Sequence, residues 1–297
     1  MPATEHRYQP AHVVDVAVLT PNMIRIVFGG SAPEKLVPSG HSDERVRIAF
    51  PAPGLQHAEP PTCIDGQWGY HDLSARNRVR SYTIRRTDPH SRTVTVDFVV
   101  HEGGVASQWA CRAAPGDTVF MLGPDGWHAP PRETTWQLLI ADMTALPALA
   151  RIAEELPACI TAHAIIETHT PDDQQVLRSD AELTTTWYHG TGNGIAPSAL
   201  PTAVSAYQLP DGPGYVWFAG EASVSRLVRK HARQHWGLPA ASFDIIGYWR
   251  EQEEHWLAQY RTVEAQVLAT RQKAITEGKT ATEVLEIYDN ALEDAGL

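Results

Sequence analysis

One change of texture constrains this chain more than any other feature. From Ala11 to about Leu122 the sequence is a series of short β-branched runs broken by Pro, Gly and Asp: HVVDVAVLT, MIRIVF, RVRIAF, VRSYTIRR, TVTVDFVV and DTVFML. Six such strands at this spacing predict a small antiparallel barrel. The stretch from Pro51 to Asn77, rich in Pro, Gly and His and without a period, is predicted to be an exposed loop on it. GPDGWHAPPRET, residues 123 to 134, concentrates turn residues and marks a domain boundary. Beyond it strand and helix patterns alternate: WQLLIADM, LPALARIAEEL, CITAHAIIE, TTTWYHG, YVWFAGE, SVSRLVRKHARQHWG and FDIIGYW. That order predicts βαβ units and a parallel sheet with helices on its faces. From Glu251 onward Trp256, Leu257, Tyr260, Val263, Val267 and Leu268, then Val284, Leu285, Tyr288 and Leu292, fall at helical spacing. They predict two amphipathic helices that cover the second domain or a dimer partner, or that act near the nicotinamide site.

Composition narrows what such a chain can do. Its 297 residues suit two ordinary domains and an appendage. A net charge of -11 with four lysines argues against a nucleic-acid surface, which needs clustered cations. No run of about 18 apolar residues occurs, and MPATEHRYQP carries charge and two prolines where a signal peptide would need an apolar segment. A cytoplasmic setting without membrane insertion is expected. Cys63, Cys111 and Cys159 form no C-x-x-C pair, and the 14 histidines include no H-E-x-x-H motif, so no metal ligands and no catalytic nucleophile are assigned. A redox group, if there is one, must be a bound organic cofactor.

Two segments carry the chemistry of such a cofactor. On the predicted strand Arg80-Ser81-Tyr82-Thr83, alternation sends Arg80 and Tyr82 to one face and Thr83 to the other. A flavin uses that mixture: a ring to stack on the isoalloxazine, a guanidinium for phosphate, and a hydroxyl at the ring edge. A half-exposed barrel strand would show the same four residues. Further on, DFVVHEGGVASQWA runs from a strand through two glycines into a helix with Ser107 in its first turn. Close backbone approach and free N–H groups there suit a pyrophosphate, although a capped helix start with nothing bound reads the same way.

Five segments in order resemble the siderophore-interacting proteins, or ferric-siderophore reductases, within the ferredoxin reductase-like flavoproteins: RSYTIRR, HEGGVASQWA, LLIADMTALPALARI, WFAGEASVSRLVRKHARQHWGLP and IIGYWR. The resemblance covers about residues 8 to 255. It implies an antiparallel Greek-key β-barrel flavin domain (8–128), a parallel-sheet α/β nicotinamide-binding domain (134–250) and a C-terminal helical extension (251–297). It also implies roles for matching residues: Arg80, Tyr82 and Thr83 on FAD, His101 beside it, and Gly104, Val105, Ala106 and Ser107 on the pyrophosphate. Asp142, Thr144 and Ala145 would lie where the second domain meets the flavin. Gly220, Glu221 and Ala222 would border the nicotinamide coenzyme, with Trp249 and Arg250 near the mouth. Arg47 and Arg250 would face the siderophore.

The implied activity is reduction of a ferric siderophore: hydride passes from NADH or NADPH to the flavin, and single electrons then pass to Fe(III). A flavin reductase with another acceptor, or a siderophore-binding protein without turnover, remains an alternative. Met143 replaces the family's usual Glu and Val105 its usual Pro. Asp125 follows Gly123-Pro124 where relatives often carry a basic residue, which favours a hydroxamate or mixed-ligand siderophore over a triply charged catecholate. Arg226, Arg229 and Lys230 could receive the 2'-phosphate of NADPH, but the extension resembles that of longer members, which use NADH, so NADH is favoured. The assembly is expected to be a monomer or homodimer. GTGNGIAP, residues 190 to 197, mimics a flavin-reductase turn but follows the third strand of the domain, not the first. It is expected to be a plain loop leading to a helix with Pro197 in its first turn.

Overall fold

A computed structural model describes residues 7–64, 67–70 and 78–297. Each of the six predicted β-branched runs forms a strand of one antiparallel sheet. They are β1 (Gln9–Thr20), β2 (Met23–Gly29), β3 (Arg45–Ala49), the run β6 (Val79–Thr83) and β7 (Arg86–Asp88), β8 (Thr93–Val99) and β9 (Thr118–Asp125). The order β6-β3-β9-β1-β2-β8-β7 closes on itself, because β6 and β7 are successive parts of one chain segment, one pairing with β3 and the other with β8. Hairpin pairs such as β1 and β2 are combined with long-range pairs such as β1 with β9 and β3 with β9, which is the Greek-key arrangement. Alternate residues such as Val46, Ile48, Val94, Val96 and Phe98 fill the interior. Trp109, from helix α2 (Val105–Ala110), plugs it 5.1 Å from the ring of Phe50 and stacks on Phe28. A short helix α1 (Ser31–Lys35) follows β2.

The predicted loop at 51–77 is partly ordered, and its residues 65–66 and 71–77 lie outside the described residues. It holds a short hairpin, β4 (Thr62–Ile64) and β5 (Gln67–Gly69). Trp68 packs edge-on against Tyr8, and Tyr70 is buried on the outer face of the barrel. Aromatic burial, invisible to a periodicity argument, holds this segment down.

The second sheet is parallel throughout, in the order β12-β11-β10-β13-β14, from β10 (Trp136–Ala141), β11 (Thr161–Thr168), β12 (Glu182–His189), β13 (Gly214–Glu221) and β14 (Phe243–Trp249). Every residue of β10 is buried, as expected for a central strand covered on both faces. Leu139 and Ala141 face α3 (Leu146–Glu155), while Leu138 and Ile140 face α4 (Leu200–Ala206) and α5 (Ala222–Gln234). The strand order reverses between β10 and β13, and ligands of such sheets bind at that switch point beyond the carboxyl ends of the strands.

The final segment forms α6 (Glu253–Thr276) and α7 (Ala281–Asp294), the second opened by a capping box in which Glu283 accepts from the Thr280 N–H at 2.8 Å. Val267, Ala274, Val284 and Leu292 are its buried apolar residues. The hairpin is fastened to α5 by ion pairs, Arg229 to Asp289 and Lys230 to Glu293 (3.1 Å). Among the described residues no helix is long and apolar enough to cross a membrane.

Candidate active site at the seam between the sheets

The carboxyl ends of the parallel strands gather six of the expected residues. Asp142, directly after β10, is buried, and its Oδ1 accepts from the N–H and hydroxyl of Thr144 (2.9 and 2.6 Å) and from the Ala145 N–H (3.3 Å). Its Oδ2 accepts from the Trp249 indole at 2.6 Å, tying β10 to β14. Gly220, at the end of β13, passes so close that a Cβ would stand 2.8 Å from Asp142 Oδ2, so the glycine is required by contact. Burial raises the Asp142 pKa against the opposing effect of these hydrogen bonds. Glu221 caps α5 by accepting from the N–H groups of Ser223 (2.6 Å) and Val224 (3.0 Å).

GTGNGIAP corrects the sequence reading. Helix α4 begins at Leu200 with Pro201 in its first turn, so Pro197 lies in the loop before it. The loop itself belongs to the site. Glu167, at the end of β11, is buried and accepts from Thr191 Oγ1 (3.1 Å), Ser198 Oγ (2.8 Å) and the Ala199 N–H (3.0 Å). Gly192 is moulded on this carboxylate: at φ 60°, a Cβ there would fall 1.8 Å from Glu167 Oε1. Asn193 Oδ1 then accepts from the Met143 N–H at 2.9 Å, bracing the turn after β10. Burial raises the pKa of Glu167. Its position at a strand end, with three glycines after the neighbouring strand, was the available signal.

On the barrel side, Tyr82 lies 4.4 Å from Phe98 between ring centroids, and burial pushes its phenol pKa up. Arg80 is exposed on the same strand, with Nη1 on the Val79 carbonyl at 2.9 Å. His101 and the loop to α2 are drawn tight by Ser107, whose hydroxyl donates to the His101 carbonyl (2.8 Å) and accepts from its N–H (2.9 Å). That side chain is therefore engaged within the loop, and the N–H groups of the Gly104 to Ala106 turn are what it offers an anion. A Cβ at Gly104 would meet the His101 ring at 2.3 Å, so a larger residue there would displace that exposed side chain.

Tyr248 on β14 joins the two halves. Its ring stacks under the Arg45 guanidinium at 4.8 Å, and its buried phenol feels Asp43, Arg45, Thr83 and Asp142. Arg45 is the strand partner of Thr83. Three buried polar atoms meet here without a well-formed hydrogen bond: Arg45 Nε, Thr83 Oγ1 and Tyr248 OH. Buried polar groups are nearly always paired, so orphans at one seam point to a polar ligand. A flavin edge, with carbonyl and ring-nitrogen acceptors, fits them. Sequence reasoning missed Arg45 and Tyr248 because their meeting depends on the docking of the two sheets.

The two residues expected to face the siderophore are not in contact. Arg47 is exposed on the outer barrel face, close enough to offset in part the rise that burial gives the Tyr8 phenol pKa, while Arg250 stacks on Trp256 at 3.8 Å. Burial and nearby Arg226 depress the Arg250 pKa. HARQH sets His231 and His235 one helical turn apart with rings 4.8 Å apart. Among the described residues no group of three or more metal-ligating side chains forms.

Comparison with known proteins supplies the family. Residues 12–128 match the siderophore-interacting FAD-binding domain, and residues 134–252 match the siderophore-interacting protein domain. An uncharacterized protein of Mycobacterium tuberculosis is 32% identical over 260 residues, 82% of this chain and 91% of that one. The NADPH-dependent ferric-chelate reductase of Escherichia coli is 28% identical over 73% of this chain and 84% of its own. The crystal structure of a siderophore utilization protein from T. fusca superposes with a TM-score of 0.73 at 31% identity, covering 83% of this chain and 94% of that one. A ferredoxin NADP+ reductase from Neisseria gonorrhoeae shares the fold at 12% identity and a TM-score of 0.58, over 82% of this chain and 100% of its own.

Proposed function

Because the chain belongs to the siderophore-interacting protein family, we propose that it is a cytoplasmic, FAD-dependent reductase of ferric siderophores, supplied with electrons by a nicotinamide coenzyme. The observation that carries this reading is the set of unpaired polar atoms on Arg45, Thr83 and Tyr248, lying where the FAD-binding barrel meets the switch point of the parallel sheet. FAD, when bound, accepts a hydride and releases electrons one at a time, which suits a two-electron donor and an Fe(III) acceptor. The chain's own work is to bind, orient and exclude water.

We assign the flavin to residues 8–128, with Tyr82 and Thr83 at the ring, Arg80 and the turn Gly104 to Ser107 at the phosphates, and His101 alongside. The coenzyme falls to residues 134–250, bordered by Asp142, Thr144, Ala145, Gly220, Glu221 and Trp249. The Asp142–Trp249 bond fixes the indole, and Glu167 fixes the loop that braces Met143. The hairpin at 251–297 packs on α5. Arg47 and Arg250 supply positive charge for the siderophore, whose hard oxygen ligands hold Fe(II) far less well than Fe(III), so reduction frees the metal. Exposed Asp125, the strand partner of Arg45, supports a hydroxamate or mixed-ligand substrate over a trianionic catecholate.

NADH is the proposed coenzyme, in contrast to the E. coli relative. Arg229 is engaged by Asp289 and by the Ile245 carbonyl (2.7 Å), and Lys230 by Glu293, so two of the three cations that a 2'-phosphate would use are taken. The decisive experiment is anaerobic. Purified protein should show an FAD spectrum that NADH bleaches and a ferric hydroxamate restores. Colourless protein that takes up no FAD would sink the reading, and bleaching without restoration by any ferric siderophore would point to another acceptor.

A further inference from the structure

Arg45 is held in an unusual way. Its guanidinium lies 4.1 Å from the ring centroid of Trp127 and 4.8 Å from that of Tyr248, so aromatic faces of the barrel and of β14 grip it together. Among the described residues it makes no ion pair and no hydrogen bond, and its Nε is buried without a partner. The nearby carboxylates do not answer it. Asp43 accepts from the N–H groups of Trp127 (2.7 Å) and His128 (2.8 Å) and from the Trp217 indole (3.2 Å), and Asp125, opposite on β9, forms no ion pair with it. A partly buried cation with open donors is costly unless something absent from the chain completes it. Stacking fixes the plane of a guanidinium while leaving its edge donors free, which a lysine ammonium cannot imitate.

Thr83, the strand partner of Arg45, carries the second buried polar atom without a well-formed hydrogen bond. Arg80 is a poorer candidate for this role, because alternation turns it to the other face of β6 and it is exposed. We infer that Arg45 is a positioning residue for the flavin, presenting its guanidinium edge to the carbonyl edge of the ring and holding the reduction potential of the bound FAD up. Reduction makes the ring more electron-rich, so a fixed cation at its edge favours the reduced form over the oxidised one. The inference rests on the assignment of FAD to this seam.

The test is the two-electron midpoint potential of FAD-loaded protein, measured against a reference dye, with FAD affinity read separately by quenching of tryptophan fluorescence. Arg45→Gln should shift the balance between oxidised and reduced flavin at least tenfold toward the oxidised form, about 30 mV for a two-electron couple. Arg45→Lys, which keeps the charge but not the stack, should shift it less. A folded, FAD-loaded Arg45→Gln protein with the potential of the wild type would overturn the inference and leave Arg45 as packing. If the glutamine variant does not fold, Trp127→Leu removes one face of the grip and keeps the charge. A fall in potential supports the role, and an unchanged potential defeats it. Wild-type protein that binds no FAD would fail the underlying assignment as well, which separates the two failures.

Discussion

Two of the places where the barrel meets the parallel-sheet domain treat polar atoms in opposite ways. At one, the Asp173 carboxylate is wholly buried and accepts five hydrogen bonds: Thr20 Oγ1 (2.8 Å), the Asn22 N–H (3.0 Å) and side chain (2.8 Å), and the Thr170 N–H (3.0 Å) and hydroxyl (2.8 Å). At the other, Arg45, Thr83 and Tyr248 bring together buried polar atoms that have no well-formed partner. Both places cross the same seam, so the difference is not one of burial. A saturated junction is structural, and its removal should cost stability. An unsaturated one is held open by its surroundings for a ligand, and its removal should cost function.

The sharpest way to break this contrast is to empty the saturated side. Asp173→Ala strands donors from three residues and should destabilise the protein by about 3 kcal/mol, read from urea unfolding, with FAD affinity of the folded fraction unchanged. The pH dependence has a definite sign. Burial opposes ionisation of Asp173, but the hydrogen bonds from Asn22, Thr20 and Thr170 outweigh it and lower the pKa. A carboxylate depressed in the folded state contributes stability in full above its unfolded value of about 3.9, and loses it as pH falls through the folded value. The acid limb of the wild-type stability curve should therefore be steeper than that of Asp173→Ala.

Thr83→Val tests the open side and should move stability the other way. Replacing a buried hydroxyl that has no well-formed hydrogen bond with a methyl of the same shape should stabilise the apoprotein by about 1 kcal/mol, while FAD binding weakens by roughly tenfold. A thermal melt of apoprotein and an FAD titration give the two values. A loss of apoprotein stability would show that Thr83 is paired in the free protein and would erase the contrast.

The two sides also differed in how legible they were. Barrel strands showed through the sequence because runs such as TVFML bury every second residue, and the parallel strands because runs such as WQLLIA are apolar on both faces. The Asp142 turn was found through resemblance, and its hydrogen bonds lie within a few residues of chain. What stayed hidden depends on docking. Arg45 and Tyr248 are 203 positions apart by number, and nothing in RVRIAF or FDIIGYW says that they stack. The role of Glu167 was hidden for a related reason: it ends a strand in the ordinary way, and only the fold lays the glycines of 190–194 over its carboxylate. Trp68 and Tyr70 were masked by the prolines and glycines around them.

A third junction, between the C-terminal hairpin and α5, sharpens the comparison because one of its ion pairs is exposed. Lys230–Glu293 should contribute less than about 1 kcal/mol, unlike the largely buried Arg229–Asp289 pair. Glu293→Ala should therefore leave stability almost unchanged, yet release Lys230 for a 2'-phosphate. We expect the ratio of kcat/KM for NADPH over NADH to rise by roughly fivefold, a change of about 1 kcal/mol. An unmoved ratio would remove the hairpin from coenzyme choice and leave it a packing element.

The smallest effect belongs to Asp125, at the solvent end of the open junction. Its carboxylate is exposed and faces Arg45 only as a strand partner, so water and salt screen it from any bound substrate. Asp125→Lys changes the local charge by two, but through solvent of high dielectric. The gain for a trianionic ferric catecholate should be about threefold in KM at low salt and should fade as the ionic strength rises through the physiological range. A neutral ferric hydroxamate should respond to neither the substitution nor the salt. That pairing isolates electrostatics from shape. If both substrates gain equally, Asp125 was blocking access rather than repelling charge, and the preference proposed for the substrate would rest on pocket size instead.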